Sequence, residues 1–128
     1  MKLFLCLILI LPIILKAQPF AGMAINTNSV EMHGGYAFNG LEITAAYKAP
    51  YLHNRIASIA SLTFSETYHF TDNVHYIRAG TGIATYNGNL APNFRAEVGR
   101  RYQQGTLFIL IDYCRKYFLM AGIKIYIK

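Results

Sequence analysis

The sequence predicts an all-β domain that folds as a single antiparallel up-and-down barrel of eight strands. Segments of alternating apolar and polar residues recur along the chain, and turn signals separate them. No segment of ten or more residues after Gln18 has apolar residues at helical spacing. The clearest alternation, in the segment NFRAEVGRRYQ, puts Phe94, Ala96, Val98 and Tyr102 on one face and Arg95, Glu97, Gly99, Arg101 and Gln103 on the other.

The amino-terminal residues are typical of a secretory signal peptide. Lys2 precedes an apolar run, residues 3–15, and the segment ends in Ala17 before Gln18. A membrane-spanning helix fits less well, because the run is shorter than the roughly 20 residues that a bilayer core requires and contains Pro12. We therefore expect a signal peptide at residues 1–17 and one barrel domain at residues 18–128.

The composition excludes several classes of protein. Removal of Lys2 and Lys16 with the signal would lower the net charge from +6 to +4. Cys114 would then be the only cysteine, so no intramolecular disulfide can form. The basic residues are scattered, and an exported chain without a basic stripe is not expected to bind nucleic acid. Basic residues near the ends of the barrel would instead contact anionic lipid head groups.

Eight strands account for residues 22–127. Asn39-Gly40 is a strong signal for a two-residue type I′ hairpin, because both central positions of that turn have positive φ. We expect short connections (39–40, 71–73 and 104–105) to alternate with longer ones (48–54 and 87–93), as in barrels with short periplasmic turns. Asn28-Ser29 and Arg115-Lys116 are the exceptions, because these two connections on the long-loop side would be very tight. The predicted strands are Gly22–Thr27, Val30–Phe38, Leu41–Ala49, Arg55–Phe70, Val74–Tyr86, Phe94–Gln103, Thr106–Cys114 and Tyr117–Ile127.

The apolar face of each strand is assigned to the exterior and the charged face to the interior. A closed sheet with this polarity leaves no unpaired edge in lipid, so the predicted barrel is of the transmembrane type. Its narrow lumen would hold a cluster of ion pairs. The cluster is predicted to contain Glu31, Glu42, Lys48, Arg78, Arg95, Glu97, Arg101, Asp112 and Lys124.

Two positions do not fit the alternation cleanly. Glu66 falls on the apolar face of its strand, and we expect it near the rim of the barrel or paired with another residue. In the seventh strand Phe108 and Leu110 share the parity of Asp112, so the inward face of that strand stays ambiguous. A fully buried strand of a soluble sandwich would have the same pattern.

No catalytic, cofactor or metal site is predicted. Ser65, Glu66 and His69 form the only close Ser/Glu/His group, but in a strand Ser65 and His69 share one face and Glu66 lies on the other. The histidines show no metal-ligand spacing apart from a possible pair of His69 and His75 across a turn.

The chain resembles the small eight-stranded outer-membrane barrels of Gram-negative bacteria. Its size and its Ala17-Gln18 signal end are similar to those of Bacteroidetes envelope proteins, and the resemblance covers residues 20–128. Such barrels usually end in an aromatic residue, whereas this chain ends Ile125-Tyr126-Ile127-Lys128. The resemblance implies an outer-membrane location with lipid as the immediate partner.

Two classes of function are compatible with these patterns. The first is a non-enzymatic outer-membrane barrel, a structural protein or an accessory subunit that contacts another envelope protein through its exterior. The second is a soluble exported barrel that binds a small apolar ligand in a lipocalin-like cavity. A narrow pore and a lipid-modifying barrel enzyme are further alternatives. The first hypothesis requires the charges inside the barrel, and the second requires them outside.

Overall fold

The computed structural model describes residues 16–51 and 58–128, which form eight strands. Each strand pairs antiparallel with the next, and β1 pairs with β8, so the sheet closes into a barrel as predicted. Most of the predicted signal peptide and residues 55–57 of the predicted fourth strand lie outside the described residues. The strands are β1 (Gln18–Ile25), β2 (Ser29–Phe38), β3 (Leu41–Pro50), β4 (Ile59–His69), β5 (His75–Tyr86), β6 (Asn89–Arg101), β7 (Gly105–Cys114) and β8 (Lys116–Tyr126).

The predicted faces are present in the structure because side chains of a strand alternate between its two sides. In β6, Arg95 and Glu97 are buried, whereas Phe94 and Val98 are exposed on the outside. In β7, whose inward face the sequence left ambiguous, the face that carries Asp112 points into the barrel. Phe108 and Leu110 share that face, so all three residues are buried. The lumen therefore contains an apolar part in addition to its charges. That part is built from Ala24, Ile59, Ala84, Ala91, Phe108, Leu110, Cys114, Phe118 and Met120.

The predicted long connection at residues 87–93 is wrong. β5 and β6 are joined by Asn87-Gly88 alone, with φ of 50° and 77°, which are values typical of a type I′ turn. Pro92 lies within β6 opposite Ile83. Hydrogen-bonded and non-hydrogen-bonded residue pairs alternate from this turn, and Pro92 and Ile83 form a pair of the second kind. On the other side of β6, pairing with β7 begins only at Phe94. Pro92 therefore removes no bond from the sheet.

The predicted alternation of short and long connections therefore fails at Asn87-Gly88. The first and last of the connections predicted to be tight are tight: β1 and β2 are joined by residues 26–28, and β7 and β8 by Arg115 alone. Among the connections between the described strands, the one between β3 and β4, residues 51–58, has the most residues. We call the end of the barrel that carries Gln18, Tyr126 and the connections 39–40, 70–74 and 102–104 the terminal end. The opposite end is the distal end.

Glu66 lies near the rim, as its charge requires. It pairs with Leu41, the first residue after the Asn39-Gly40 turn at the terminal end. Its carboxylate accepts a hydrogen bond from Tyr68, two residues along the same face. The carboxylate therefore avoids the middle of the apolar exterior.

Candidate functional site in the barrel interior

The barrel interior contains eight charged side chains in balanced number. Four carboxylates and four basic groups project into the lumen, and none of the eight residues is more than 6% exposed. Every one of them takes part in at least one ion pair. We call these residues the lumen network: Glu31, Glu42, Glu97, Asp112, Lys48, Arg78, Arg95 and Lys124.

Two ion pairs of the lumen network cross the full width of the barrel. Lys48 on β3 contacts Asp112 on β7, with 2.5 Å between Nζ and Oδ2. Arg95 on β6 contacts Glu31 on β2, with 2.7 Å between Nη2 and Oε1. In a ring of eight strands, strands that are four positions apart face each other across the lumen. These two pairs therefore connect opposite walls, and Lys48 links them by lying 3.7 Å from Oε2 of Glu31.

The other half of the network lies closer to the terminal end. Lys124 places its Nζ 2.7 Å from Glu42 and 3.5 Å from Glu97. Arg78 contacts the same two carboxylates, at 3.1 Å from Glu42 and 2.8 Å from Glu97. Tyr76 also donates to Glu97, with 2.5 Å between the oxygens. Two carboxylates and two basic groups thus form a closed set of contacts, and each carboxylate has both cations as partners.

Other groups of the interior add contacts to the charges. Asn93 donates to Asp112 at 2.6 Å and to the Tyr113 carbonyl at 3.1 Å. Nδ1 of His33 lies 3.1 Å from Glu31. On the apolar side of the lumen, Lys48 Nζ lies 4.0 Å from the centre of the Phe118 ring, an arrangement in which the ring attracts the cation. Buried charges are tolerated when they are paired and hydrogen-bonded in this way.

The structure does not bring the ninth predicted member into the network. Arg101 shares the inward parity of Arg95 and Glu97, but it is the last residue of β6 and is exposed at the terminal mouth. The alternation in the sequence predicts that the Arg101 side chain points inward. How deep it lies in the barrel depends on where the strand ends. Sequence reasoning also missed Tyr76, Asn93 and Tyr126 as polar members of the interior. The alternation places these three residues on the inward face, but because their side chains are neutral they do not stand out among the charged residues.

The Ser65, Glu66 and His69 group does not form a catalytic arrangement. Ser65 is buried in the lumen and Glu66 is on the exterior. His69 follows Ser65 by four strand positions, which at about 3.3 Å per residue separates them by roughly 13 Å. His75 contacts Asp72 in the turn between β4 and β5. Among the described residues, no group of three His, Cys, Asp or Glu side chains is placed to hold a metal ion.

A closed eight-stranded antiparallel barrel with this interior belongs to the class of folds that includes transmembrane β-barrels. The chain is similar to a structure titled "De novo design of transmembrane beta-barrels", with a TM-score of 0.66 over 88% of this chain and 96% of that one. It is also similar to the crystal structure of Neisserial surface protein A, with a TM-score of 0.51 over 87% and 94% of the two chains. Sequence identity is 16% in both comparisons, so they show the fold alone. No family model and no curated protein matches the sequence.

Proposed function

We propose that this chain is a non-enzymatic outer-membrane β-barrel, a structural protein or an accessory subunit of an envelope assembly, whose lumen is closed by ion pairs. The observation that carries the proposal is the inverted polarity of the barrel. Four of the six acidic residues of the chain are buried in the lumen. The exterior carries large apolar side chains that are 40–80% exposed, among them Met32, Leu62, Ile83, Ile109 and Leu119.

This polarity favours the membrane hypothesis over the soluble lipocalin-like barrel. A monomeric soluble protein rarely exposes a contiguous apolar patch larger than a few hundred Å². Here exposed apolar side chains are present on every strand of the described barrel. A lipocalin-like cavity would need an apolar interior with room for a ligand, whereas this interior contains the lumen network.

The tyrosines support the same location. All ten lie within three residues of a strand end, five at each end of the barrel. Six of them are exposed on the outside, with Tyr36, Tyr68 and Tyr102 at the terminal end and Tyr47, Tyr51 and Tyr117 at the distal end. Tyrosine suits a membrane interface because its ring is apolar and its hydroxyl is hydrated. Two such bands flank the apolar belt of transmembrane barrels.

The dimensions of the strands fit a bilayer. β2, β3 and β7 each contain 10 residues. A strand of that length, at about 3.3 Å per residue and tilted by roughly 40°, rises about 25 Å along the barrel axis. The apolar band of outer-membrane barrels has about the same height.

The lumen network supports a closed barrel over a pore. Two ion pairs cross the lumen, and the other four charged residues of the lumen network contact one another. We expect the purified protein to give no stepwise conductance in a planar lipid bilayer. Discrete channel openings at moderate voltage would favour the narrow pore instead.

The contacts of such a barrel with other proteins would be lateral. Apart from residues 51–58, the described connections contain at most five residues, so little of the chain projects beyond the strands. The apolar exterior is the largest surface available to a neighbouring envelope protein. An accessory role is therefore proposed together with the structural one.

The decisive experiment is cell fractionation of the full chain expressed with its own amino terminus. We expect the protein in the outer-membrane fraction, with a band that migrates differently in gels before and after boiling in detergent. Recovery as a freely soluble periplasmic protein would contradict the proposed location. A mass measurement of the same material would test cleavage after Ala17.

A further inference from the structure

The terminal mouth of the barrel contains a depression of about 200 Å³. It lies between the Asn39-Gly40 turn and the side chains that project from the adjoining strand ends. Those that matter here are Glu42, His69, Arg78, Arg101, Thr106 and Tyr126. The depression is open to solvent, and Glu42 and Arg78 of the lumen network lie at its floor.

The floor of this depression carries no free negative charge. Glu42 is the only carboxylate in its lining, and it is paired with Arg78 and Lys124 at 3.1 and 2.7 Å. The Arg78 guanidinium already donates to Thr67 at 2.8 Å, Glu97 at 2.8 Å and the Tyr126 hydroxyl at 3.2 Å. The charges at the floor are therefore paired with one another.

Arg101 at the wall of the depression is different, because its charge has no counterpart. All six acidic residues of the chain are described, and none has a carboxylate oxygen within 4 Å of the Arg101 guanidinium. Four are in the lumen network, Asp72 contacts His75, and Glu66 accepts from Tyr68 on the exterior. A guanidinium offers five N–H donors in a planar fork that matches a carboxylate or phosphate.

His69 adds a second donor on the same depression. Its ring packs against the Tyr76 ring, with 6.4 Å between centroids, and forms no ion pair with a described residue. Phe38 and Leu41 provide an apolar margin on the side of the Asn39-Gly40 turn. The site therefore combines an unpaired cation, a second polar donor and an apolar edge around a small volume.

We propose that the terminal mouth binds a small anion that carries a carboxylate or phosphate group, held by Arg101 with His69 beside it. This proposal depends on the fold and not on the location of the barrel. The anion would come either from solution or from the head group of an anionic lipid at the rim. Both sources present the same chemistry to the guanidinium fork.

The chain provides a matched control for Arg101. Arg100 has the same charge, is adjacent in sequence, and points to the exterior, where its guanidinium lies 5.6 Å from the centre of the Tyr102 ring. R100Q and R101Q therefore change the net charge equally and differ only in the face they affect. H69Q tests the second donor separately.

The experiment is a titration of the purified full chain in a zwitterionic detergent at low salt, with sodium phosphate and with sodium acetate, followed by NMR of the backbone amides. We expect saturable shifts at Arg101 and Thr106, with phosphate affinity in the millimolar range. R101Q should weaken binding about tenfold and H69Q about threefold, whereas R100Q should leave it within twofold. A band shift on heating, measured on each sample, ensures that every variant is folded.

Two results would overturn the proposal: no saturable shift with either anion, or equal losses in R100Q and R101Q, which would indicate diffuse charge attraction. Repeating the titration in nanodiscs with and without phosphatidylglycerol separates the sources of the anion. Competition by phosphatidylglycerol supports a lipid head group as the occupant. Unchanged phosphate binding supports a dissolved anion at the same site.

Discussion

At the scale of single residues, the interior is defined by which charged side chains pair with each other. Parity predicted that Lys48 and Asp112 face inward, because each alternates with apolar neighbours. Parity could not predict that the two would meet, because partners across a lumen depend on strand order, tilt and stagger. For the same reason, the sequence does not predict the pairing of Arg95 with Glu31. Direction in a strand is local information, whereas contact across the barrel is global.

The pair of Lys48 and Asp112 should show strong coupling in stability. K48M alone and D112L alone each leave an uncompensated buried charge, so each should cost about 3 to 5 kcal/mol of unfolding free energy. The double variant restores the charge balance of the lumen, and we expect it to recover most of that loss. The measurement is urea unfolding in micelles, followed by the heat-shifted band.

An exposed cation provides the control for this cycle. K116M changes the charge by the same amount at the distal rim, where Lys116 is exposed, and should stay within about 0.5 kcal/mol of the wild type. Losses that simply add in K48M/D112L would contradict the proposed pairing across the lumen.

Asp72 should make the turn between β4 and β5 sensitive to pH. The hydrogen bond with the His75 ring, followed by those from the backbone N–H groups of His75 and Val74, holds the pKa of Asp72 below its ordinary value of 3.8. A lowered pKa means that the ionised carboxylate stabilises the folded state above the ordinary pKa, and that this contribution is lost as the pH falls.

We therefore expect D72A to lower the thermal midpoint at pH 7 and to differ less from the wild type at pH 3. D72N keeps an acceptor oxygen for the backbone N–H groups and should fall between the two at pH 7. The measurement is loss of the folded band on heating at each pH. A difference between D72A and the wild type that is the same at both pH values would exclude this role of the carboxylate.

At the scale of strands and turns, the sequence predicted the number of strands and most of their faces, but not all of their ends. Asn87-Gly88 carries the same hairpin signal as Asn39-Gly40. The sequence favours a loop at residues 87–93 because this segment contains Pro92, and proline is disfavoured within sheets. The structure places it where the strand has no hydrogen-bonding neighbour on its N–H side. Proline is tolerated at this position because of the register of β6 with its neighbouring strands, and that register cannot be read from the sequence.

The glycines of β5 should differ sharply from the turn glycine that follows them. A Cβ at Gly82 would overlap the Leu62 carbonyl oxygen of β4, and one at Gly80 would overlap that of Phe64. These glycines allow close approach of the β4 backbone. Gly88 has open space around its Cβ position and a φ of +77°.

We expect G82A to cost about 3 kcal/mol, because backbone atoms of β4 must move to admit the methyl group. G88A should cost only about 1 kcal/mol, because its penalty comes from the positive φ alone. Urea unfolding of the two variants in the same detergent compares them directly. Equal costs would mean that β4 and β5 can separate more freely than the structure indicates.

At the scale of the whole molecule, apolar and charged residues are distributed in the reverse of a soluble protein. The sequence predicts that each strand has one apolar and one charged face, but it does not show which face points outward. A barrel with its charges on the outside would have the same alternation. Closure of the sheet around the lumen network removes that ambiguity. Function was less accessible, since the residues of the interior form contacts with one another and not with a recognisable substrate.

A single charge on the exterior should distinguish a bilayer from water. Ile109 lies in the middle of β7 and is 59% exposed, whereas Tyr117 lies at the distal rim and is 79% exposed. In a bilayer, I109K should cost about 2 to 4 kcal/mol and Y117K about 1 kcal/mol or less. The measurement is the folding equilibrium in lipid vesicles. If both substitutions are neutral, the proposed membrane location is contradicted.

The two ion pairs that cross the lumen also constrain how the chain reaches its final state. Lys48 and Asp112 are separated by 64 positions in the chain, as are Glu31 and Arg95. A hairpin that entered the hydrocarbon region alone would carry a charge whose partner belongs to a hairpin still outside. If the barrel lies in a membrane as proposed, partial insertion would therefore be penalised, because the cost of burying the lumen charges is offset only when both halves of the barrel cross together. We expect all-or-none insertion kinetics, with no stable intermediate that spans the bilayer.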